Sequence, residues 1–548
     1  MRHIHFTGGL TLLLSFCLQY AALADQPKSL KEQATEAYIG HDYLRSGQLF
    51  VSAAGQGDNV AELFYNAACS FALAGRSDEA FQVLERSFEA GFHDTEHARR
   101  DADLASLRGD ARWPELLDRV AASEKAYGEF WNGSSMQTPF KENLSDDEKV
   151  AGLSKLWAEA KFNFIHFDKV PTLKWDAVYM EYLPKVRATA STFEYYRMLM
   201  EMCAQLRDGH TGVWMPKELT DKNYARPLLR TALVGNKVVI VAVSKHLLST
   251  VGLVPGLEII KVDGLPVFEY VKRNVIPYQS ASTPQDRDAR VYGSALLEGS
   301  KSKSVELTLR DPSGNTSTRN VTRASKADYR ETFHLEPMTF KMLPGNVAYV
   351  TLNSFDDRKA ADLFEAAFSE ISKADSMVID LRENGGGDGD VGYRILACLT
   401  DKAFYSSKWE TRDYKPTLRA WGQGETRFSN PASSVSPNGK LLFTKPVVLL
   451  TSPRTYSAAE DFTVVFRGMK RGKIVGEATG GSTGQPLTFP LPGGGGGRVC
   501  TKHDTSSDGT EFVGVGIMPD VAASPTIADF RAGRDTVLDA ALQLLRGK

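Results

Sequence analysis

The sequence of 548 residues contains 42% hydrophobic and 24% charged residues and carries a formal net charge of −2. This length predicts roughly three to four domains, and the hydrophobic content is enough to build a core in each. A near-neutral charge without long runs of one sign excludes the strongly basic class of nucleic-acid and anionic-membrane binders. We therefore expect a soluble, multidomain globular protein.

Residues 1–24 have the pattern of a secretory signal peptide. Arg2 precedes the apolar run GGLTLLLSFCL, and the small residues ALA follow at 22–24, where cleavage would occur. The run is too short to span a bilayer, and the segment lacks the arginines of an organellar transit peptide. We expect export to a periplasmic or extracellular compartment, no membrane span, and a mature chain that begins near Asp25.

The cysteines do not form a metal-binding or redox motif. Cleavage of the signal would remove Cys17 and leave four cysteines without CxxC spacing. Structural thiols and a disulfide both remain open. The four are Cys69, Cys203, Cys398 and Cys500.

Residues 26–125 are predicted to be helical. Two amphipathic helices fill 65–92 and break near Gly75, and a fainter copy at 36–54 places Gly40 thirty-five positions earlier. A helix–turn–helix unit with a period near 34 residues resembles tetratricopeptide repeats, although a plain helical hairpin bundle gives the same pattern. Either arrangement would serve as a spacer or as a docking module for a protein partner. Residues 140–220 are again helical and lead into RDGHTGV (207–213).

The region 228–325 changes to short, β-branched strands. The segment GLVPGLEIIKVDG (252–264) contains a turn glycine, an apolar strand and a tight Asp-Gly turn. This pattern resembles a PDZ domain of the kind that peptidases carry as an insert. No clear equivalent of the Gly-Leu-Gly-Phe loop of that family is present, so binding of peptide carboxyl termini stays open. A small β domain that only braces its neighbour is the alternative.

From 335 to 548 apolar strands alternate with helices. Strands are predicted at 347–355, 376–381, 445–451 and 473–479, with a helix over 357–373. This alternation indicates an α/β layer with a partly parallel sheet. The glycine loop in DLRENGGGDGD (380–390) follows its strand at once, and its N–H groups can approach a ligand closely. It lacks the Lys-Ser/Thr of a phosphate-binding loop, so an oxyanion hole fits it better.

Ser457 heads the stretch YSAAEDF (456–462). The pattern Ser-x-x-Glu is the signature of a helix capping box. The segment also runs from a strand through a sharp turn into a helix, which places the hydroxyl where backbone N–H groups and the helix dipole favour negative charge. Because a capping hydroxyl is directed towards its own helix, the two roles compete. With the glycine loop nearby, we favour a nucleophile.

Four motifs in order resemble the tail-specific (C-terminal-processing) serine peptidases and their tricorn-core relatives. They are DLRENGGG, YSAAEDF, GKIVGEATGGSTGQP and GVGIMPDV, and the resemblance covers about residues 145–548. It implies a ClpP/crotonase-like α/β peptidase core with a PDZ-like insert. It also implies Ser457 as nucleophile and an oxyanion hole made by the N–H groups of Ala458 and Gly386, with Gly385 as a close alternative.

The general base departs from one branch of this family. The Ser/Lys branch places a lysine 25 residues after the serine, but this chain has Ser482 there. Neither Lys470 nor Lys473 stands at the family position. The tricorn-like branch takes a histidine from the N-terminal side of the insert, and RDGHTGV resembles that segment. The resemblance therefore implies His210 as the base, and a histidine base predicts an activity that rises with pH near the reference value of about 6.5.

A third catalytic residue is harder to assign. In the tricorn core a serine precedes the histidine, but Gly209 stands there in this chain. The family's supporting glutamate aligns near Val513, and a two-residue offset on a strand keeps the same face, which makes Glu511 the nearest choice. Asp208 is a weaker rival. His503, on the approach to the same strand, is the main competitor of His210 as base.

These observations predict a serine endopeptidase that acts on polypeptides through an acyl-enzyme. No cofactor or metal is expected, because HExxH is absent and no His/Asp/Glu cluster has ligand spacing. A different class stays open: a non-catalytic scaffold that binds peptides or hydrophobic ligands on a degenerate peptidase fold.

Overall fold

The computed structural model describes residues 29–56, 60–92 and 94–547. The predicted signal segment 1–24 lies outside them. No helix in the described part of the chain is long and apolar enough to cross a membrane. The chain divides into two compact units after Gly133, and each unit has a hydrophobic core of its own.

The first unit is entirely helical among its described residues. Ala67 and Ala68 are fully buried, and a side chain at Gly47 would lie 2.8 Å from the Phe71 ring, so small residues allow the helices to pack closely. The predicted break at Gly75 falls between two helices at a positive φ of 72°, which glycine adopts without strain. The helices are α1 (Leu30–Ile39), α2 (Tyr43–Ala54), α3 (Val60–Leu73), α4 (Ser77–Glu89), α5 (Thr95–Arg100) and α6 (Arg112–Asn132), with a 3-10 turn at Ala102–Leu107. The prediction of a helical N-terminal region is confirmed; its assignment to tetratricopeptide repeats stays a prediction.

The second unit opens with helices that deliver the segment 207–213. Ser145 begins the first of them with a capping box to Glu148. The helices pack on Phe489, Leu491 and Val499, which lie on or beside strands of a small three-stranded sheet. The elements are α7 (Asp146–Asn163), α8 (Trp175–Arg187), α9 (Thr192–Ala204), β1 (Gly212–Trp214) and α10 (Lys217–Asn223).

Residues 229–321 form a separate antiparallel sheet with its own core. Its strand order is β2-β3-β4-β6-β7, with β5 paired to β4. The elements are β2 (Leu229–Val234), β3 (Lys237–Val243), α11 (Lys245–Val251), β4 (Glu258–Val262), β5 (Leu265–Pro266), α12 (Val267–Asn274), α13 (Pro284–Arg290), β6 (Val305–Arg310) and β7 (Thr316–Val321), and α14 (Lys326–Thr332) follows. The small β region predicted at 228–325 is therefore present.

A six-stranded sheet forms the centre of the second unit. Its order is β20-β16-β15-β10-β9-β8; all neighbours are parallel except β8, which is antiparallel to β9. Helices cover the sheet, as expected for buried parallel strands. The elements are β8 (Met338–Leu343), β9 (Val347–Leu352), α15 (Lys359–Ile371), β10 (Ser376–Asp380), α16 (Gly389–Ala397), β15 (Val447–Thr451), α18 (Ala458–Gly468), β16 (Gly472–Gly476), β20 (Val521–Ala522), α19 (Ile527–Ala532) and α20 (Thr536–Arg546). The predicted α/β core is confirmed.

Two features of this sheet position the site. Strands β10 and β15 are parallel neighbours, with Asp380 opposite Leu450, so the glycine loop and Ser457 leave the same edge of the sheet. Short sheets border that edge. They consist of β11 (Phe404–Tyr405) with β14 (Ser434–Val435), of β12 (Lys408–Asp413) with β13 (Thr426–Asn430) and β19 (Lys502–Thr505), and of β1 with β17 (Pro486–Pro490) and β18 (Gly496–Cys500), while α17 (Pro416–Ala420) lies within the β12–β13 connection.

Candidate active site

Ser457 stands between β15 and α18 in a strained conformation. Its φ of 56° and ψ of −128° lie in a region that residues other than glycine rarely adopt. The N–H of Ser457 donates to the carbonyl of Ser482 at 3.1 Å and to Glu460 Oε2 at 3.3 Å. Its hydroxyl lies 3.1 Å from Nε2 of His210, while the N–H of Glu460 donates to the backbone carbonyl of Ser457 at 2.7 Å. The hydroxyl therefore contacts the imidazole from its position at the start of α18.

His210 lies on the turn between α9 and β1 and is 5% exposed. Its ring stacks on Tyr456, with centroids 5.0 Å apart, and its Nδ1 lies 2.9 Å from Oγ of Ser482. Burial lowers the pKa of His210 to about 3, and Arg498 and Arg290 add to the effect. The imidazole is therefore neutral at pH 7, the state in which it can accept a proton.

Ser482 completes a chain of three polar side chains. With Nδ1–H of His210 donating to the Ser482 hydroxyl, Nε2 is left to accept from Ser457, which is the tautomer that a base requires. Sequence reasoning noted Ser482 only because a lysine was missing there. The one available signal was that same position, 25 residues after Ser457, where the resemblance to the Ser/Lys branch led us to expect a lysine.

Glu460 connects Ser457 and Ser482 through hydrogen bonds to their backbone N–H groups. Its carboxylate is fully buried and accepts from the hydroxyl of Thr479 at 2.5 Å and from the N–H groups of Gly481 and Ser482 at 2.7 and 2.8 Å. Burial raises the pKa of Glu460 to about 7, against the effect of these donors. The Ser-x-x-Glu pattern therefore includes a carboxylate that ties the 479–482 loop to the start of α18.

The N–H groups beside Ser457 differ in availability. Gly386, expected to bind the oxyanion, donates its N–H to Oδ1 of Asn384 at 2.9 Å. The N–H groups of Ala458, Gly385 and Gly387 have no acceptor among the described residues. Ala458 and Gly387, but not Gly385 or Gly386, line the cavity beside Ser457. The geometry thus favours Ala458 with Gly387, and Gly386 instead brings the loop against Ser457, since a Cβ there would lie 2.6 Å from Cβ of Ser457.

The expected third residue does not reach His210. Glu511 instead contacts His503 of the edge strand β19, with Oε2 at 3.1 Å from Nε2. His503 also contacts Glu410 at 3.2 Å and does not contact Ser457. Asp208 is buried beneath the turn and accepts from the hydroxyl of Thr211 at 2.6 Å. The expectation that Glu511 supports the base is therefore corrected, and Ser482 stands in that place.

Two groups of side chains have donor atoms close enough to hold a metal ion, among the residues that the structure describes. The groups are His166, Asp208 and Cys500, and Cys69, Asp101 and Asp103. The first group lies near the site, but hydroxyl donors already occupy the carboxylate of Asp208. Burial also raises the pKa of the Cys500 thiol, which favours its neutral form over the thiolate that a metal needs.

The chain matches two known domain families. Residues 346–523 match Peptidase family S41, and residues 151–204 match the Tricorn protease C1 domain. Similar curated proteins include the carboxyl-terminal-processing protease of Picosynechococcus sp., 30% identical over 46% of this chain and 57% of that protein. The chloroplastic C-terminal processing peptidase of Tetradesmus obliquus is 26% identical over 43% of this chain and 49% of that protein.

The chain spans about half the length of these curated relatives. A third, the putative tricorn protease homolog 2 of Streptomyces coelicolor, is 25% identical over 68% of this chain but only 30% of that protein. Among solved structures, mature CPAF superposes with a TM-score of 0.58 at 15% identity, covering 74% of this chain and 98% of that one; at this identity the likeness speaks for the fold. The chain is therefore similar to peptidase family S41 over residues 346–523 and to the tricorn protease C1 domain over residues 151–204.

Proposed function

We propose that this protein is a serine endopeptidase in which Ser457 attacks the peptide carbonyl. The observation that carries the proposal is the contact of 3.1 Å between the Ser457 hydroxyl and Nε2 of His210. A serine that only capped its helix would direct its oxygen to its own backbone N–H groups. Here the hydroxyl faces a buried imidazole that is neutral at pH 7, which is the arrangement of a nucleophile and its base.

The steps follow from this geometry. His210 takes the proton from Ser457 as Oγ bonds to the carbonyl carbon, and the imidazolium then protonates the leaving amine. N–H groups of Ala458 and Gly387 stabilise the oxyanion, an effect worth about 10²–10³ in rate for each donor. Water repeats the sequence and releases the acyl product. Ser482 acts through His210: together with the Tyr456 hydroxyl, 3.3 Å from Nδ1, it holds the tautomer and orientation of the imidazole.

Comparison with known proteins supports this proposal. The matched region includes both the glycine loop and Ser457, and the curated relatives are described as processing proteases. The alternative, a non-catalytic scaffold, requires that Ser457 and His210 serve only structure. A strained serine beside unpaired N–H groups is hard to explain in that way.

Active-site labelling tests the proposal directly. A fluorophosphonate probe should label the wild-type chain at Ser457, and Ser457→Ala should lose both the label and peptide hydrolysis while staying folded. Ser372→Ala, at the half-buried C-cap of α15, is the matched control and should keep both. A folded wild-type protein that neither reacts with the probe nor cleaves a peptide library would support the scaffold instead.

Finer features of the organisation are part of the same proposal. The small sheet at 229–321 would act as a PDZ-like insert that orients the polypeptide, the core would be ClpP/crotonase-like, and the helical unit, as tetratricopeptide-like repeats, would bind a protein partner. Residues 1–24 would direct export to the periplasm or beyond; N-terminal sequencing of the native protein tests this, and a chain that keeps Met1 would contradict it.

A further inference from the structure

A cavity of about 360 Å³ opens beside Ser457. Ser457, Ala458 and Gly387 form the side that belongs to the reaction, and the facing wall comes from the small sheet of β12 and β19. The residue that supplies the scissile carbonyl (P1) has its side chain on the carbon next to that carbonyl. A cavity shared by the nucleophile and the oxyanion N–H groups is therefore within reach of the P1 side chain.

Two buried carboxylates line this cavity. Asp461 lies four residues after Ser457, one turn into α18, which is about 6 Å along the helix axis. Asp504 lies on β19 opposite Trp409. The two carboxylates are 8% and 1% exposed, and both line the cavity.

These carboxylates have fewer partners than two negative charges require. Lys502 contacts Oδ1 of Asp504 at 2.9 Å, and the Ser407 hydroxyl donates to Oδ1 of Asp461 at 2.8 Å. Oδ2 of Asp504 is buried without a hydrogen-bond partner among the described residues. Burial raises the pKa of both carboxyl groups, that of Asp504 to about 7, and Lys502 offsets this only in part, so both groups are ionised together only when further positive charge is nearby. A buried acceptor without a donor is also costly.

A cation from the substrate would satisfy this wall. Lysine and arginine bring N–H donors and a positive charge at the end of an apolar stem. The rings of Trp409 and Tyr393 line the cavity and offer apolar surface to that stem. An acidic side chain is a poor fit, because the ammonium of Lys502 is already engaged by Asp504.

We propose that this cavity is the P1 pocket and that it selects lysine and arginine. The inference rests on the proposed peptidase function, since it names the substrate class of that site. Cleavage would thus occur after basic residues, with the substrate cation placed between Asp461 and Asp504.

Peptide hydrolysis by the full-length chain gives the first test. Peptides that differ only at P1 or only at P1′, with Arg, Lys, Leu or Asp, should show kcat/KM highest for Arg and Lys at P1. Asp504→Asn and, separately, Asp461→Asn should lower the ratio of kcat/KM for the basic peptides to that for the Leu peptide about 10- to 100-fold. Asp413→Asn, on the same small sheet but paired with Lys415 outside the cavity, is the matched control.

Binding gives a second test that needs no turnover. Nα-acetyl-arginine amide should bind to the folded Ser457→Ala protein more tightly than Nα-acetyl-leucine amide, and Asp504→Asn should remove the difference. Ser457-dependent cleavage without a basic preference, or a preference at P1′ alone, would overturn the pocket and leave the peptidase function standing. Arginine-selective binding in a protein without any peptidase activity would overturn the peptidase function and leave the pocket standing. Equal binding of both amides would reject the pocket.

Discussion

At the scale of single residues, the backbone of Ser457 gives a prediction that separates strain from chemistry. Glycine adopts its φ of 56° and ψ of −128° without a Cβ clash, whereas alanine keeps the strain of about 1–3 kcal/mol. Glycine also makes the unfolded chain more flexible, which lowers the free energy of unfolding by about 0.4–1 kcal/mol. Ser457→Gly should therefore be about 1 kcal/mol more stable than Ser457→Ala in urea unfolding, while both are inactive. Equal stability would mean that the turn relaxes.

The buried state of His210 changes the pH dependence expected from the sequence alone. A base needs its neutral form, and that form is populated above the pKa, which burial lowers to about 3 rather than the usual value of about 6.5. The rate of labelling by a neutral fluorophosphonate should therefore stay nearly level from pH 8 down to about pH 5. A midpoint near 6.5 would show that His210 is more solvated than the structure indicates.

Ser482 variants give a second prediction for the pH profile of fluorophosphonate labelling. Ser482→Ala should lower the level of that pH profile by about tenfold, since the imidazole loses the partner that orients it. The midpoint should stay where it is, because burial rather than Ser482 is the main cause of the low pKa. Ser482→Thr keeps a hydroxyl and should recover much of the rate. A purely structural role would instead lower the stability of both variants with no such recovery.

At the scale of elements, the three glycines of the 385–387 loop are not equivalent. A Cβ on Gly386 would lie 2.6 Å from Cβ of Ser457, and one on Gly387 would lie 2.2 Å from the carbonyl carbon of Phe355, whereas Gly385 has open space within 4 Å. Gly386 and Gly387 also have φ of 99° and 130°. Gly386→Ala and Gly387→Ala should abolish activity and lower Tm, and Gly385→Ala, the matched control, should keep the wild-type Tm. Loss of stability in Gly385→Ala would contradict the loop geometry.

The start of α18 should make stability depend on pH through Glu460. Its pKa is about 7 in the folded chain against an ordinary 4.5, so its contribution to the unfolding free energy is full below pH 4.5 and is lost as pH rises through 7. The loss amounts to about 3 kcal/mol. The stability of the wild type relative to Glu460→Gln should therefore fall between pH 5 and pH 8, whereas the exposed Glu370→Gln should follow the wild type. A constant difference would mean that Glu460 stays ionised throughout.

Local patterns predicted the elements well, and contacts between distant segments decided the rest. The glycine loop and the strand–turn–helix at Ser457 are local, so sequence could place both at one sheet edge. Ser482 was missed because its partner His210 is 272 positions away. Glu511 was assigned from strand periodicity, which gives a face but not a neighbour, and in the structure its neighbour is His503. Gly386 failed as a free donor because the nearby Asn384 accepts its N–H.

At the scale of the whole molecule, the order of regions was predictable because composition changes along the chain. Helical periodicity ends before β2, β-branched strands fill 229–321, and alternation begins at β9. The acidic wall of the cavity beside Ser457 was not predictable, since Asp461 reads as a helix residue and Asp504 as part of a solvated strand. Only the pairing of Trp409 with Asp504 across β12 and β19 brings that charge to the nucleophile.

The division after Gly133 leads to the last prediction. All of the residues proposed for catalysis and for the P1 pocket belong to the second unit, and the buried clusters of the two units share no member. A chain of residues 134–548 should therefore fold without the first unit and cleave short peptides with a kcat/KM close to that of the full-length protein. If the helical unit selects polypeptide substrates, the same truncation should slow cleavage of a folded protein substrate much more than that of a short peptide. A folded fragment that has lost activity on short peptides would show instead that the first unit takes part in building the site.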